Sequence, residues 1–325
     1  MTFAGRSVLV TGGLGFIGSA VARALAAAGA DVAVLDALTP GDGGDRRNVE
    51  DVKDRIAITI GDVRDDAVVR ELVRGRSHVF HLAGQVSHVD AMEDPRADLG
   101  KNTEASIALL EACRRTTPRP RVVFASTRQV YGRARRLPLD EEHPCEPVDA
   151  NGIHKWAAER HHLLYDQVLD VPSVCLRLTN TYGPGQLVRH ARQGFIGWFV
   201  RKVVERSTIE VMGDGAQLRD LNHVDDVVDA MLRAAASDAR GVVWNLGAEP
   251  MSIRAIAELL VEIRGAGTIR FVPFPEERLR IDVGSAHASW ERIRRAIGWE
   301  PRVPLRDGLA STIRHYDAHL ARYLP

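Results

Sequence analysis

The sequence predicts an α/β fold, a doubly wound parallel sheet with a smaller, interleaved C-terminal α+β region, on three observations. An apolar run at residues 7–10 breaks into Thr11-Gly12-Gly13, and a helical pattern then runs over residues 16–28, giving strand, tight loop and helix. Short apolar runs and amphipathic segments keep alternating as far as residue 178. The second run closes on a carboxylate, Asp36, about 20 residues beyond the glycine loop.

The expected strands of the first half lie at residues 7–10, 31–36, 56–60, 77–84, 121–126 and 173–178. Between them, helical spacing occupies 68–73, one long stretch at 97–115, and 152–168. Residues 40–44 are polar and glycine-rich without periodicity, and read as a mobile loop. Beyond 178 strict alternation stops, and elements are expected at 193–205, 209–212, 224–236, 242–246, 253–263 and 305–316. The apolar patch at 194–200 reads as a buried helix or a subunit face rather than a membrane contact. The expected division is 1–178 as a dinucleotide-binding domain of Rossmann type, completed by later strands, and 179–325 as mainly a substrate region.

Lys+Arg and Asp+Glu both number 43, so no overall field favours nucleic acid or an anionic membrane. The three cysteines, Cys113, Cys145 and Cys175, are odd in number and widely spaced. That suits a reducing compartment better than a disulfide framework, and offers no zinc-type spacing. No apolar run reaches membrane-spanning length and no signal segment precedes the first strand, so a cytoplasmic protein is expected.

The glycine loop has a mechanism. Gly12 permits the turn, Gly15 lets backbone approach a pyrophosphate, and Gly18 lets the helix pack against the strand, while N–H groups at Phe16 and Ile17 open the helix toward the phosphates. Asp36 suits a ribose hydroxyl and repels a 2′-phosphate, and Ala37-Leu38-Thr39 offers no arginine to hold one, so NAD is expected over NADP. Asp62, with Val63 at the third strand end, is either an adenine-side acceptor or a helix N-cap. The loop Leu82-Ala83-Gly84 suits close passage beside a cofactor, and His81 reads as a packed strand histidine. Ligands on such sheets gather at the carboxyl ends of strands, which points to Ser126-Thr127.

With Thr11-Gly-Gly-Leu-Gly-Phe-Ile-Gly18 and Ser126-Thr-Arg-Gln-Val-Tyr-Gly132 together, the chain resembles the extended short-chain dehydrogenase/reductases. More narrowly, it resembles the NAD-dependent epimerase/dehydratase family acting on nucleotide sugars. The resemblance continues through His81-Leu-Ala-Gly84, Asn102, residues 176–184, 213–220, Asn245-Leu-Gly247 and Gly298-Trp-Glu-Pro301, and so covers essentially the whole chain. It implies that Thr127 bonds the sugar hydroxyl being oxidised and that Lys155 grips the nicotinamide ribose. It also places Asn102 and Ser126 on the cofactor side, and Ser87, Asn180, Arg219 and one of Arg278 or Arg280 on the substrate side, the arginines meeting a diphosphate. The implied partner is a nucleotide-diphosphate sugar, and the implied assembly a homodimer through the helices at 97–115 and 152–168.

Two departures bear on chemistry. The family pairs its lysine with a tyrosine four residues earlier, on the same helix face; here Asn151 stands four before Lys155. None of the five tyrosines has a lysine four residues on, and an amide has no proton to exchange near neutral pH. The family's 4,6-dehydratases follow their threonine with an acidic pair, whereas this chain has Arg128-Gln129. Candidates to replace the tyrosine are His154, Lys155 itself, Tyr131, Glu142, Cys145 and His88. The expected function is a 4-epimerase-like NAD enzyme with a non-standard acid/base. The alternatives are a dehydratase of a non-4,6 type and a catalytically silent binding protein.

Overall fold

The computed structural model describes residues 3–324, without the side chains of Gln193, Glu277 and Arg278. Its strands are β1 (Ser7–Thr11), β2 (Asp31–Asp36), β3 (Ile56–Ile60), β4 (His78–His81), β5 (Arg121–Thr127), β6 (Ser173–Leu178), β7 (Asn180–Tyr182), β8 (Thr208–Met212), β9 (Leu218–His223), β10 (Val242–Leu246), β11 (Pro250–Ser252) and β12 (Thr268–Val272). Seven of them form one parallel sheet in the order β10-β6-β5-β4-β1-β2-β3. The chain winds one way from β1 to β3 and the other way from β4 to β6, so a crevice opens at the carboxyl ends between β1 and β4.

The sheet is buried on both faces, which is why its strands read as continuous apolar runs rather than as alternation. Val8 and Val10 point to one face, where α1 (Phe16–Ala27) packs, and Leu9 points to the other, covered by α2 (Asp66–Val73). After α2 come α3 (His88–Glu93), α4 (Pro95–Leu99), α5 (Ala105–Arg114) and α6 (Ala150–Leu169). The chain continues through α7 (Phe195–Val204), α8 (Val224–Ala236), α9 (Ile253–Arg264), α10 (Glu276–Leu279), α11 (Glu291–Ile297) and α12 (Leu305–His319).

The helix expected over 97–115 is present as one continuous helical run with a break only in its hydrogen-bond register. α4 and α5 are joined by a wide, π-type turn at Gly100–Glu104 that carries Asn102. A Cβ on Gly100 would sit 2.9 Å from Arg64 Nη1, so the close packing of that arginine depends on glycine. The apolar pattern runs on through the turn and hides the break.

A second lobe packs α7, α9 and α12 over the sheets β11-β9-β7 and β12-β8, with Ile196, Phe199, Val200, Leu260, Leu309 and Ile313 in its core. The patch at 194–200 is thus a buried helix face. The two lobes are laced together rather than joined once. β10 and α8 come from the second half yet complete the first lobe, where Trp299 is buried and donates from Nε1 to Asp226 O at 2.9 Å. Leu139, from the first half, exchanges backbone hydrogen bonds of 2.8 Å with His287 and Ser289. Among the described residues no helix is long and apolar enough to cross a membrane, and no group of acidic, histidine and cysteine side chains could hold a metal ion.

Candidate functional site

At the carboxyl ends of the sheet lies a cleft of about 480 Å³, walled by the loops after β1 to β6. Its floor is the glycine loop. Gly12 has φ +67°, and a Cβ there would lie 2.7 Å from Ala83 N, on the strand-end loop beside it. A Cβ on Gly18 would meet Gly12 O at 2.0 Å, so the helix can approach its own loop only without a side chain. Gly15 caps α1 in an extended conformation, and Phe16 and Ile17 line the cleft at the positive end of the helix.

Asp36 closes this end. Its carboxylate accepts from Leu14 N and Leu38 N, both at 2.9 Å, which holds the acid beside the loop it serves. Residues 40–44 fold toward the same wall, with Asp42 paired to Lys101 at 2.8 Å. Asp62 lines the cleft with Val63, and the fork of Arg64 grips its carboxylate, which with the Arg64 N–H outweighs burial and lowers its pKa. The cap of α2 is Asp65 instead, accepting from Ala67 N and Val68 N.

Leu82, Ala83 and Gly84 form the middle wall. Asn102 stands behind it and does not line the cleft. Its Oδ1 would lie 2.5 Å from a Cβ on Gly84, and neither atom of its buried amide has a hydrogen-bond partner among the described residues. His81 is fully buried between Thr11 Oγ1 at 2.7 Å and Ser106 Oγ at 3.1 Å, and burial lowers its pKa to about 3. Ser126 reaches the wall, but its hydroxyl turns inward to Glu159 Oε2 at 2.7 Å. Glu159 in turn holds Arg177, which donates to Tyr131 Oη at 2.7 Å.

The far end gathers Thr127, Arg128, Gln129, Asn151, Lys155, His88 and Asn180. Thr127 Oγ1 accepts from Gln129 N at 3.2 Å. Lys155 is buried, donates from Nζ to Ala125 O at 3.1 Å and lies 5.0 Å over the Phe124 ring. Desolvation brings its pKa down to about 8, with Asp98 opposing. Asn151 is buried on the same helix face. Its Nδ2 donates to Gln85 O at 2.8 Å and to Asp98 Oδ1 at 3.0 Å, which spends both amide protons and leaves its carbonyl oxygen as what it offers a ligand. Asp98 also takes His154 Nδ1 at 2.7 Å, so His154 faces away and does not line the cleft.

Asp149 caps α6, accepting from Gly152 N at 2.7 Å, and its other oxygen lies 3.0 Å from His88 Nδ1. Burial pushes the Asp149 carboxyl up, but His88, the Gly152 N–H and the charge of Arg128 together hold it below its ordinary value. Arg128 is 7% exposed and lines the cleft without a hydrogen bond or ion pair to any described residue. A buried guanidinium without a close anion is costly unless a ligand supplies one.

Asn180 lines the cleft and donates to Asp220 O at 3.1 Å. Arg219 is buried behind the wall with Nη1 on Leu218 O and Gly284 O, and burial together with Arg128 lowers its pKa to about 10. Ser87 is fully buried and caps α3 through Asp90 N at 3.1 Å. The Arg280 side chain is 80% exposed and pairs with Glu276, while that of Arg278 lies outside the described residues. The sequence singled out neither Asp149 nor Asp98. An acidic residue just ahead of the Asn151–Lys155 helix is an N-cap signal that would have marked the first.

The NAD dependent epimerase/dehydratase family matches residues 8–247. A UDP-glucose 4-epimerase of Mycolicibacterium smegmatis is 32% identical over 310 residues, covering 95% of this chain and 97% of its own. The crystal structure of UDP-glucose 4-epimerase from Thermotoga maritima with UDP-glucose superposes with a TM-score of 0.89 at 28% identity, over 97% of this chain and 99% of that one. A dTDP-glucose 4,6-dehydratase from Streptomyces venezuelae, with NAD and TYD bound, gives a TM-score of 0.88 at 27% identity over 98% of both chains.

Proposed function

Since the chain belongs to the NAD-dependent epimerase/dehydratase family, we propose that it is a nucleotide-sugar epimerase that oxidises its sugar at C4 and returns the hydride to give the epimer. The observation that carries this reading is a single cleft joining the glycine loop and Asp36 to Thr127 and Lys155. The residues present fit NAD: the cradle has no room for a side chain at Gly12 or Gly18, Asp36 faces the ribose end, and Lys155 ends the path. When bound, NAD supplies a two-electron acceptor that takes a hydride from a carbinol carbon and gives it back.

The chain's own residues do the rest. Thr127 positions the reacting hydroxyl, Lys155 holds the nicotinamide ribose, and Asn180 with the guanidinium of Arg128 meets the sugar and diphosphate. The neighbours of Thr127 favour epimerisation over 4,6-dehydration, because Arg128 and Gln129 supply no carboxylic acid for elimination. A homodimer through α5 and α6 belongs to this reading. Ile153, Leu164 and Val168 are exposed apolar residues of α6, and 153 to 164 spans about three turns, so they share a face. The setting is cytoplasmic, in keeping with three free thiols.

The test is incubation of NAD-loaded protein with UDP-, GDP-, CDP- and TDP-sugars, with products resolved by NMR. Conversion at C4 is expected, and no turnover across the panel counts against an enzyme. The Asn151 substitution keeps a second reading, a catalytically silent binding protein; gain of activity in Asn151→Tyr from an inert parent would favour it.

A further inference from the structure

We propose that His88, oriented by Asp149, is the acid/base that stands in for the missing tyrosine. The assignment rests on the epimerase reading above and names the group that moves its proton.

The geometry carries it by placement and by elimination. His88 opens α3 at the Thr127 end of the cleft, with its side chain 31% exposed there, enough to meet a ligand. Its Nε2 lies 3.0 Å from the amide Nε2 of Gln129, a nitrogen that can only donate, so the ring nitrogen facing the cleft carries a lone pair. The ring proton then sits on Nδ1, at ion-pair distance, 3.0 Å, from the buried Asp149 carboxylate but not aligned on it as a hydrogen bond, so a small turn of the ring completes the contact. A carboxylate fixing the tautomer of an imidazole whose other nitrogen is basic is the arrangement a general base requires. Gln129, whose backbone N–H holds Thr127 Oγ1, ties the imidazole to the threonine.

Of the other candidates Lys155 shares the cleft, but its ammonium donates to Ala125 O and is given to the nicotinamide ribose in the reading above; the remaining four are placed elsewhere. Tyr131 is fully buried between Arg177 and Asn245, and burial raises its pKa. Burial also raises that of the Cys145 thiol, beside Arg177. Glu142 pairs with Arg292 at an exposed position, and His154 faces Asp98 behind the helix.

In the oxidising step the Gln129 amide gives up His88 Nε2 to the substrate hydroxyl, the O4–H bond breaks and its proton passes to the freed lone pair. The electron pair of that bond forms the C4=O bond as the C4 hydrogen leaves with its own pair for the two-electron acceptor. In the return step hydride adds to the opposite face and the imidazolium gives the proton back to O4. Atoms and charge balance over the cycle. The charged groups around His88 include Asp149 at 3.0 Å, Asp90 and Glu93 on its own helix with their partner Arg192, the buried Arg128 after β5, and Asp98, His154 and Lys155 from α4 and α6. Among the described residues only Asp149 comes within ion-pair distance of the ring.

The experiment compares wild type, His88→Asn, His88→Gln and Asp149→Asn on a nucleotide sugar that the wild type converts. We expect kcat to fall roughly 100-fold or more in both His88 variants, with KM and NAD binding within about threefold. In Asp149→Asn the ring loses the carboxylate that orients it, and kcat falls roughly 10-fold with KM little changed. The ring nitrogen chemical shifts of His88 in the resting protein report the loss of the Nδ1–H tautomer in that variant, a readout independent of turnover. If the wild type turns over while both His88 variants keep kcat within about threefold, the assignment to His88 alone is overturned. A His88 tautomer and a kcat both unchanged in Asp149→Asn overturn the orienting role of Asp149. A wild type that converts no nucleotide sugar overturns the epimerase reading and this inference together.

Discussion

The two ends of the cleft are built differently. At the glycine-loop end the contacts are backbone: a Cβ at Gly18 would fall 2.0 Å from Gly12 O, and Asp36 is fixed by two main-chain N–H groups. At the Thr127 end the surface consists of side chains from separate segments, with His88 on α3, Gln129 after β5 and Asn151 at the start of α6, and Asp149 buried behind them. Backbone geometry tolerates almost no exchange, because any side chain collides. Side-chain geometry tolerates it when another group can reach the same place. The tyrosine expected at position 151 is replaced at this second end, while the loop at the first keeps its full pattern.

Substitutions at the two ends break or sharpen this contrast. The largest effect is expected for Gly18→Val, which forces a branched side chain onto Gly12 O and removes saturable NAD binding, as read by calorimetry. Retained binding would mean that the loop shifts more freely than its packing implies. At the other end, Arg128→Met should leave NAD binding unchanged and raise KM for the nucleotide sugar about 10- to 100-fold, or roughly 1.5–3 kcal/mol, with kcat little altered. Steady-state kinetics check this, and an unchanged KM would remove Arg128 from the substrate surface.

The smallest change is one of stability. Burial lowers the Lys155 pKa from 10.5 to about 8, so the folded state binds this proton more weakly than the unfolded one. Between those two values folded stability rises with pH; below about 8 the buried ammonium is a full cost. Lys155→Met should therefore stabilise the apo protein at pH 7 by about 1–2 kcal/mol while abolishing turnover, and the gain should vanish above the ordinary lysine pKa. Thermal melts at pH 7 and pH 11 test the sign.

Much of the fold was legible because its logic is local. β2, β6 and β10 begin and end where the apolar runs do, since strands covered on both faces need apolar residues, and the edge strand β3 does so although it is half exposed. The turn at Gly100–Glu104 was not legible, because the backbone stays helical through it and the segments on either side are each helical in pattern. In the candidate site the same divide holds. The glycine loop and Asp36 are a contiguous motif, whereas His88 and Asp149 are brought together only by the topology. His88 was in view as a residue type, yet nothing in its neighbourhood along the chain told that a carboxylate would meet its ring. Arg219 and Ser87, carried over from the resemblance, sit behind the wall rather than on it.

The lacing of the lobes has a consequence for ancestry. A strand from the second half closes the sheet of the first, and Leu139 is clasped by His287 and Ser289. No cut between residues releases one lobe as an intact unit, so recombination cannot hand this scaffold a ready-made substrate lobe. New specificities must then arise in place, one side chain at a time, and position 151 is the kind of mark such a history leaves.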